Sequence, residues 1–173
     1  AKAEVVPHPV VVPPPTDRAY RDTLRDRLGL PRDAFVVGTV CSIRPIKNVA
    51  FLARAVAAMR HDALCAIVGP GNEAALREVR LAGGDRVRLL GRQPGAETMP
   101  VFDCYATPTR HPGESFGLAT AEAMAAGVPV LATNVGGSGD LVRGRTTGYS
   151  LPLVEADWTA ALDTLAGDEA SRI

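Results

Sequence analysis

The chemistry of this chain is densest in one stretch, His111-Pro-Gly-Glu-Ser-Phe-Gly-Leu-Ala-Thr-Ala-Glu122. Two carboxylates, Glu114 and Glu122, stand eight residues apart around Gly117. The stretch follows an apolar run and leads into a helical pattern, predicted over Phe116 to Ala126. A helix start there aims the amides of Ser115, Phe116, Gly117 and Leu118 outward, at the positive end of the helix dipole. Gly117 lets a ligand approach the backbone. Glu122 lies about one and a half turns inside the helix at 3.6 residues per turn. Its side chain tilts back toward the helix start, while Glu114 sits in the preceding loop. Two acceptors thus flank one group of donors, which fits a ligand with a phosphate in its middle and hydroxyl-rich sugars on both sides. Taken alone, two glutamates at this spacing describe an ordinary capped surface helix with solvated side chains.

A second candidate is the loop Ser42-Ile-Arg-Pro-Ile-Lys-Asn48. The chain has seventeen arginines and only two lysines, Lys2 and Lys47. An internal lysine in such a background hints that a compact ammonium is wanted at that point. Taken alone, Arg44 and Lys47 are solvent-facing cations after a strand. A third stretch, Gly69-Pro-Gly71, turns the chain after another apolar run. It fits a loose dinucleotide fingerprint, but the acidic residue expected about twenty positions on is not evident. Gly69 therefore reads as a turn near the ligand.

The elements that position these residues alternate. Strands are predicted at Phe35 to Val40, Leu64 to Val68, Val87 to Leu90, Cys104 to Thr107, Val128 to Ala132 and Gly148 to Leu151. Helices are predicted from Thr16 or Asp17 to Leu28, and over Val49 to Met59, Glu73 to Leu81, Phe116 to Ala126 and Ala156 to Ala166. Continuous apolar strands between helices imply a parallel sheet covered on both faces. The fold expected is α/β, a Rossmann-like doubly wound parallel sheet with ligands at the carboxyl ends of its strands. Residues 1–15 are Pro-rich and read as a lead-in or linker, with residues 16–173 as one domain.

Composition sets the outer bounds. The 173 residues suffice for one domain with a core; 46% are hydrophobic and 22% charged. Nineteen basic residues balance nineteen acidic ones, which gives no electrostatic footprint for nucleic acid. No apolar run reaches membrane-spanning length. The three cysteines, Cys41, Cys65 and Cys104, lack metal-ligand spacing and read as buried free thiols in a reducing, cytoplasmic setting.

The run from Glu114 resembles the E-x7-E motif of retaining GT-B glycosyltransferases, in particular the large family 4. Its pattern is roughly E-G-F-G-L-x-x-x-E-A-M-A-x-G-x-P-V-V-A-T-x-x-G-G. The chain reads Glu114-Ser-Phe-Gly-Leu-Ala-Thr-Ala-Glu122-Ala-Met-Ala-Ala-Gly-Val-Pro-Val-Leu-Ala-Thr-Asn-Val-Gly136-Gly137. Ile67 to Gly71, Val87 to Gly91 and Gly144 to Pro152 resemble further stretches of the same family, so the likeness covers nearly the whole chain. It implies one GT-B half-domain and a hexosyltransferase-type reaction. A nucleotide-diphosphate sugar would be the donor substrate, with no cofactor and no metal.

Carried over, Glu122 binds the ribose hydroxyls and Glu114 sits near the donor sugar. The amides of Phe116, Gly117 and Leu118 lie near the phosphates or sugar. The loop at Ser42 resembles G-R-L-x-P-x-K-G/N, whose Arg and Lys neutralise the diphosphate as the sugar leaves. Lys47 matches the motif lysine. The motif arginine falls on Ser42, two residues before Arg44, so Arg44 substitutes or the arginine is missing. The loop with Arg92, from Gly91 to Gln93, is expected to meet the nucleobase.

Two departures stand out. Ser138-Gly139-Asp140 replaces an apolar residue, a variable one and Glu, which bears on the sugar end. The stretch from Gly91 to Cys104 is about four residues short, leaving room for a helix of a turn or two. His111 reads as structural or sugar-contacting. The acceptor-binding N-terminal domain that the resemblance implies is not found in these residues. A non-catalytic nucleotide-sugar-binding module is the alternative reading.

Overall fold

The computed structural model describes residues 9, 10, 12, 16–143 and 147–167. Most of the predicted lead-in over 1–15, and part of the Gly144 to Pro152 stretch, lie outside the described residues.

Helix α1 (Arg18–Arg27) starts at Asp17, whose carboxylate accepts the Tyr20 amide at 2.7 Å. The predicted cap is therefore Asp17 rather than Thr16. Strand β1 (Phe35–Val40), helix α2 (Val49–Ala57), strand β2 (Ala63–Val68), helix α3 (Glu73–Gly83) and strand β3 (Val87–Gly91) follow. Next come the single turn α4 (Gly95–Thr98), strand β4 (Cys104–Thr107), helix α5 (Leu118–Ala125), strand β5 (Val130–Ala132), the short helix α6 (Gly137–Leu141), strand β6 (Tyr149–Ser150) and helix α7 (Glu155–Gly167). The shortened stretch before β4 holds only α4 and one 3-10 turn, as the missing residues require. Helix α6 has no counterpart among the predicted elements.

All the pairings among β1 to β6 are parallel, in the order β3-β2-β1-β4-β5-β6. This is the strand order of a doubly wound Rossmann-like sheet. Alternate strand residues face opposite sides. Val37, Cys65, Ile67 and Leu131 pack under α2 and α7, with Phe51 and Trp158 edge to face at 5.5 Å. Val36, Leu64, Val68 and Val130 pack under α1 and α5, with Leu24, Phe102 and Ala123. Gly38 makes room for Phe102, since a Cβ there would lie 2.2 Å from the ring.

The amino ends of the strands are tied by charge. The fully buried Arg25 donates to the carbonyls of Val101, Arg32 and Ala34 and to Asp103, which also accepts the Val36 amide at 2.7 Å. That network fixes α1 against the starts of β1 and β4. The opposite, carboxyl ends carry the loops singled out above.

Candidate functional site

The chain winds outward from β1 to β3, then returns to β4 beside β1. The sheet order therefore reverses between β1 and β4, and ligands of open α/β sheets sit outside the carboxyl ends of the strands at such a point. The loop after β1 contains Arg44 and Lys47. The loop after β4 contains Glu114.

The structure joins these two loops. Lys47 Nζ lies 2.8 Å from Glu114 Oε2, with both side chains about five-sixths buried. The same ammonium donates to the Gly113 carbonyl at 3.2 Å, and the Arg110 amide donates to the Ile46 carbonyl at 2.8 Å. Gly113 has no side chain because a Cβ would meet Ile46 at 2.4 Å. Backbone bonds, packing and an ion pair thus hold the two loops across the switch point.

Glu114 also accepts the Gly117 amide at 3.1 Å through Oε1. This corrects the expectation of four outward amides over residues 115–118. Gly117 is left-handed, with φ at 83°, so α5 begins at Leu118 rather than Phe116. The Glu114 carboxylate takes the Gly117 amide in the manner of a helix cap. The first α5 bond runs from the Ala121 amide to the Gly117 carbonyl at 2.9 Å. Helical geometry leaves the amides of Leu118, Ala119 and Thr120 without intrahelical acceptors. The donor cluster is therefore displaced toward the helix. Glu122 lies in the second turn of α5, half-buried, with Oε2 3.4 Å from where a Gly95 Cβ would stand. It faces the α4 start and Val40, on the β1 side of the switch point.

Gly136, Gly137 and Ser138 form the floor of the 114–117 loop. The Gly137 amide donates to the Ser115 carbonyl at 3.0 Å. A Cβ at Gly136 would lie 1.9 Å from the Glu114 carbonyl oxygen, and one at Gly137 would lie 2.1 Å from that of Phe116. The paired glycines let two backbone turns stack in contact.

The remaining predicted residues are more dispersed. Arg44 and Arg92 are exposed, in the loops after β1 and β3. Gly69 is structural: its amide donates to Gly91 at 2.7 Å, and a Cβ would collide with the Cys41 carbonyl. The predicted role for this turn beside the ligand gains no side-chain support. Ser115 and Leu118 are exposed and Phe116 is half-buried. His111 is exposed on the rim of a cavity of about 490 Å³ beyond β4 and β5, with Asn134 and Leu153.

Two titratable groups lie under the site. Burial pushes the Cys41 thiol up to about 11, against the pull of Lys47 and Arg44. Burial also pushes the Tyr105 phenol well up, and the Cys41 and Glu114 charges add to it. Both therefore stay protonated at neutral pH. Sequence reasoning missed Tyr105 and Thr120, which read as ordinary strand and helix residues, whereas Ser138 stood out only as a departure from the family pattern.

The sequence model of glycosyl transferases group 1 matches residues 34–168. The chain belongs to that family. D-inositol 3-phosphate glycosyltransferase of Nocardia farcinica is 37% identical over 180 residues, covering 91% of this chain and 40% of the relative. Its counterpart from Stackebrandtia nassauensis is 35% identical over 175 residues, covering 86% of this chain and 37% of the relative. The chain thus spans less than half the length of these curated glycosyltransferases. The structure of Anabaena HepE in complex with UDP-glucose superposes with a TM-score of 0.82 at 26% identity, covering 91% of this chain and 45% of HepE. The C-terminal domain of LpcC from Francisella tularensis shares the fold, with a TM-score of 0.72 at 22% identity, and 85% of that solved chain is covered. The glycosyltransferase assignment fits one Rossmann-like half of a GT-B architecture.

Proposed function

We propose that this chain is the donor-binding half of a retaining glycosyltransferase, and that the switch-point site holds a nucleotide-diphosphate sugar. The observation that carries the reading is the Lys47–Glu114 contact at the switch point, beside the α5 start. A cation from the loop after β1 thus meets the stretch after β4 that carries the helix-start amides and both carboxylates. Glu122 takes the ribose hydroxyls, the α5 amides and Lys47 take the diphosphate, and Glu114 faces the sugar. Arg44 stands at the rim, where its charge adds to that of Lys47. Arg92 borders the nucleobase. The diphosphate charge is met by protein groups, with no metal required. Preorganised cations at a leaving group supply much of the stabilisation that such a transfer needs. HepE, bound to UDP-glucose, makes uracil the first base to test.

The acceptor is outside this proposal, because it belongs to the other half of the architecture. The chain by itself should bind donor and transfer little sugar. Robust transfer to a defined acceptor by the 173-residue chain would sink that part of the reading.

The decisive experiment is calorimetric titration with UDP-, GDP- and ADP-sugars, repeated with Glu122→Ala. Each ribose bond to a charged acceptor contributes about 1.5–3 kcal/mol, so the variant should lose at least about tenfold in affinity. Undiminished binding would refute the ribose role. Failure of the parent chain to bind any nucleotide would favour a non-catalytic remnant.

A further inference from the structure

Beneath the 114–117 loop lies a run of buried hydroxyls. Thr120 Oγ1, 1% exposed, meets Ser138 Oγ, 2% exposed, at 3.1 Å. The Tyr105 phenol interacts with the hydroxyls of Thr120 and Thr107. Thr107 Oγ1 meets Thr109 Oγ1 at 3.0 Å, and Thr133 Oγ1 donates to the Thr109 carbonyl at 2.7 Å. These residues come from β4, its following loop, α5, the exit of β5 and α6.

An apolar residue of similar volume could fill any of these positions. A hydroxyl there is costly unless every partner is in place. Paired hydroxyls are directional, so they set atomic positions more narrowly than apolar packing does. Ser138 is the member that reaches the site. A Cβ on Gly117 would stand 2.7 Å from Ser138 Oγ and 3.2 Å from its backbone nitrogen. Gly117 in turn donates to Glu114, and Glu114 holds Lys47. A contiguous path therefore runs from Thr120 through its hydrogen bond to Ser138, across the close packing of Ser138 on Gly117, to Glu114. Glu122, one turn further along α5, faces Gly95 and Val40 instead.

We propose that Thr120 and Ser138 are positioning residues for the sugar end of the donor site. Their hydroxyl pair fixes the spacing between the Gly117 backbone and α6, and so fixes where Glu114 presents its carboxylate. The inference rests on the donor-binding reading, and it assigns the pair to the sugar rather than to the nucleotide.

The test is calorimetry of the full chain with two probes, UDP and UDP-glucose. Four proteins are compared: the parent, Thr120→Val, Thr120→Ser and Ser138→Ala. The parent should bind UDP-glucose more tightly than UDP. Thr120→Val and Ser138→Ala should lower UDP-glucose affinity about tenfold more than they lower UDP affinity. Thr120→Ser should restore the parent ratio. A role confined to folding would lower thermal stability without changing the ratio of the two affinities, and that result overturns the inference. If Thr120→Val does not fold, Ser138→Ala decides by the same ratio. A parent that binds UDP-glucose no more tightly than UDP contradicts the sugar-end assignment. A parent that binds neither overturns the donor-binding reading, and the inference with it.

Discussion

Replacing Gly136 by alanine tests whether the floor of the Glu114 loop sets binding. Gly136 has φ of 54° and ψ of −144°, a region that side chains other than glycine adopt at a cost of about 1–3 kcal/mol. The added Cβ would stand 1.9 Å from the Glu114 carbonyl oxygen and 2.8 Å from its carbonyl carbon. Both obstructing atoms are backbone, so no side chain can swing away. Restoring a tolerable separation moves the two turns apart by about 1 Å. A displacement on that scale takes the Glu114 carboxylate out of hydrogen-bond reach of a ligand, which should lower UDP-glucose affinity by about tenfold or more. The strain alone should lower the melting temperature by roughly 2–12 °C for a domain of this size. Circular dichroism melts report the second effect and calorimetry with UDP-glucose the first. A Gly136→Ala chain that binds within about twofold of the parent and melts at the parent temperature would refute the reasoning.

Other perturbations separate the two ends of the sheet. Lys47→Ala removes the partner of a carboxylate that is about five-sixths buried. A charged hydrogen bond of this kind contributes about 1.5–3 kcal/mol, less whatever solvent screens. A lower melting temperature should accompany weaker UDP binding, and unchanged UDP affinity would remove Lys47 from the diphosphate site. Asp103→Ala strips the buried Arg25 of its carboxylate at the amino ends of the strands. Breaking such a pair costs about 3–5 kcal/mol, so thermal stability should fall steeply while the folded chain keeps its UDP-glucose affinity.

Asp163 gives a pH test. Burial opposes its charge, but hydrogen bonds from the His61 and Arg60 side chains and backbone outweigh burial and hold it below 3.8. A folded value below the unfolded one means that the stabilisation is full above 3.8 and is lost as pH falls through the folded value. The parent melting temperature should therefore drop as pH falls below 3.8, and Asp163→Asn should flatten that slope. Parallel profiles would contradict the assignment.

The alternating strands and helices were legible because the strands are buried on both faces, which makes them continuous apolar runs such as Phe35 to Val40. Glu114, Glu122 and Lys47 were legible as separate candidates. Their meeting was not. Lys47 and Glu114 are 67 residues apart, and only the adjacency of β1 and β4 brings their loops together. The start of α5 was misplaced by two residues because Phe116 fits the helical pattern, whereas Gly117 takes a left-handed conformation that breaks it. Helix α6 was missed because Gly136-Gly137-Ser138-Gly139 reads as a turn. The hydroxyl run has no local signature, since Thr120 and Ser138 find each other only after folding.

The central claim concerns where the nucleotide sugar sits, and backbone amide chemical shifts during titration with UDP-glucose test it most directly. The account predicts the largest shifts at Lys47, at residues 114–120 and at Glu122, with little change at Arg21, Arg25 and Asp103 around the cavity of about 520 Å³ at the amino ends of the strands. Shifts centred on that cavity, with the Lys47 and Glu114 loops unmoved, would contradict it.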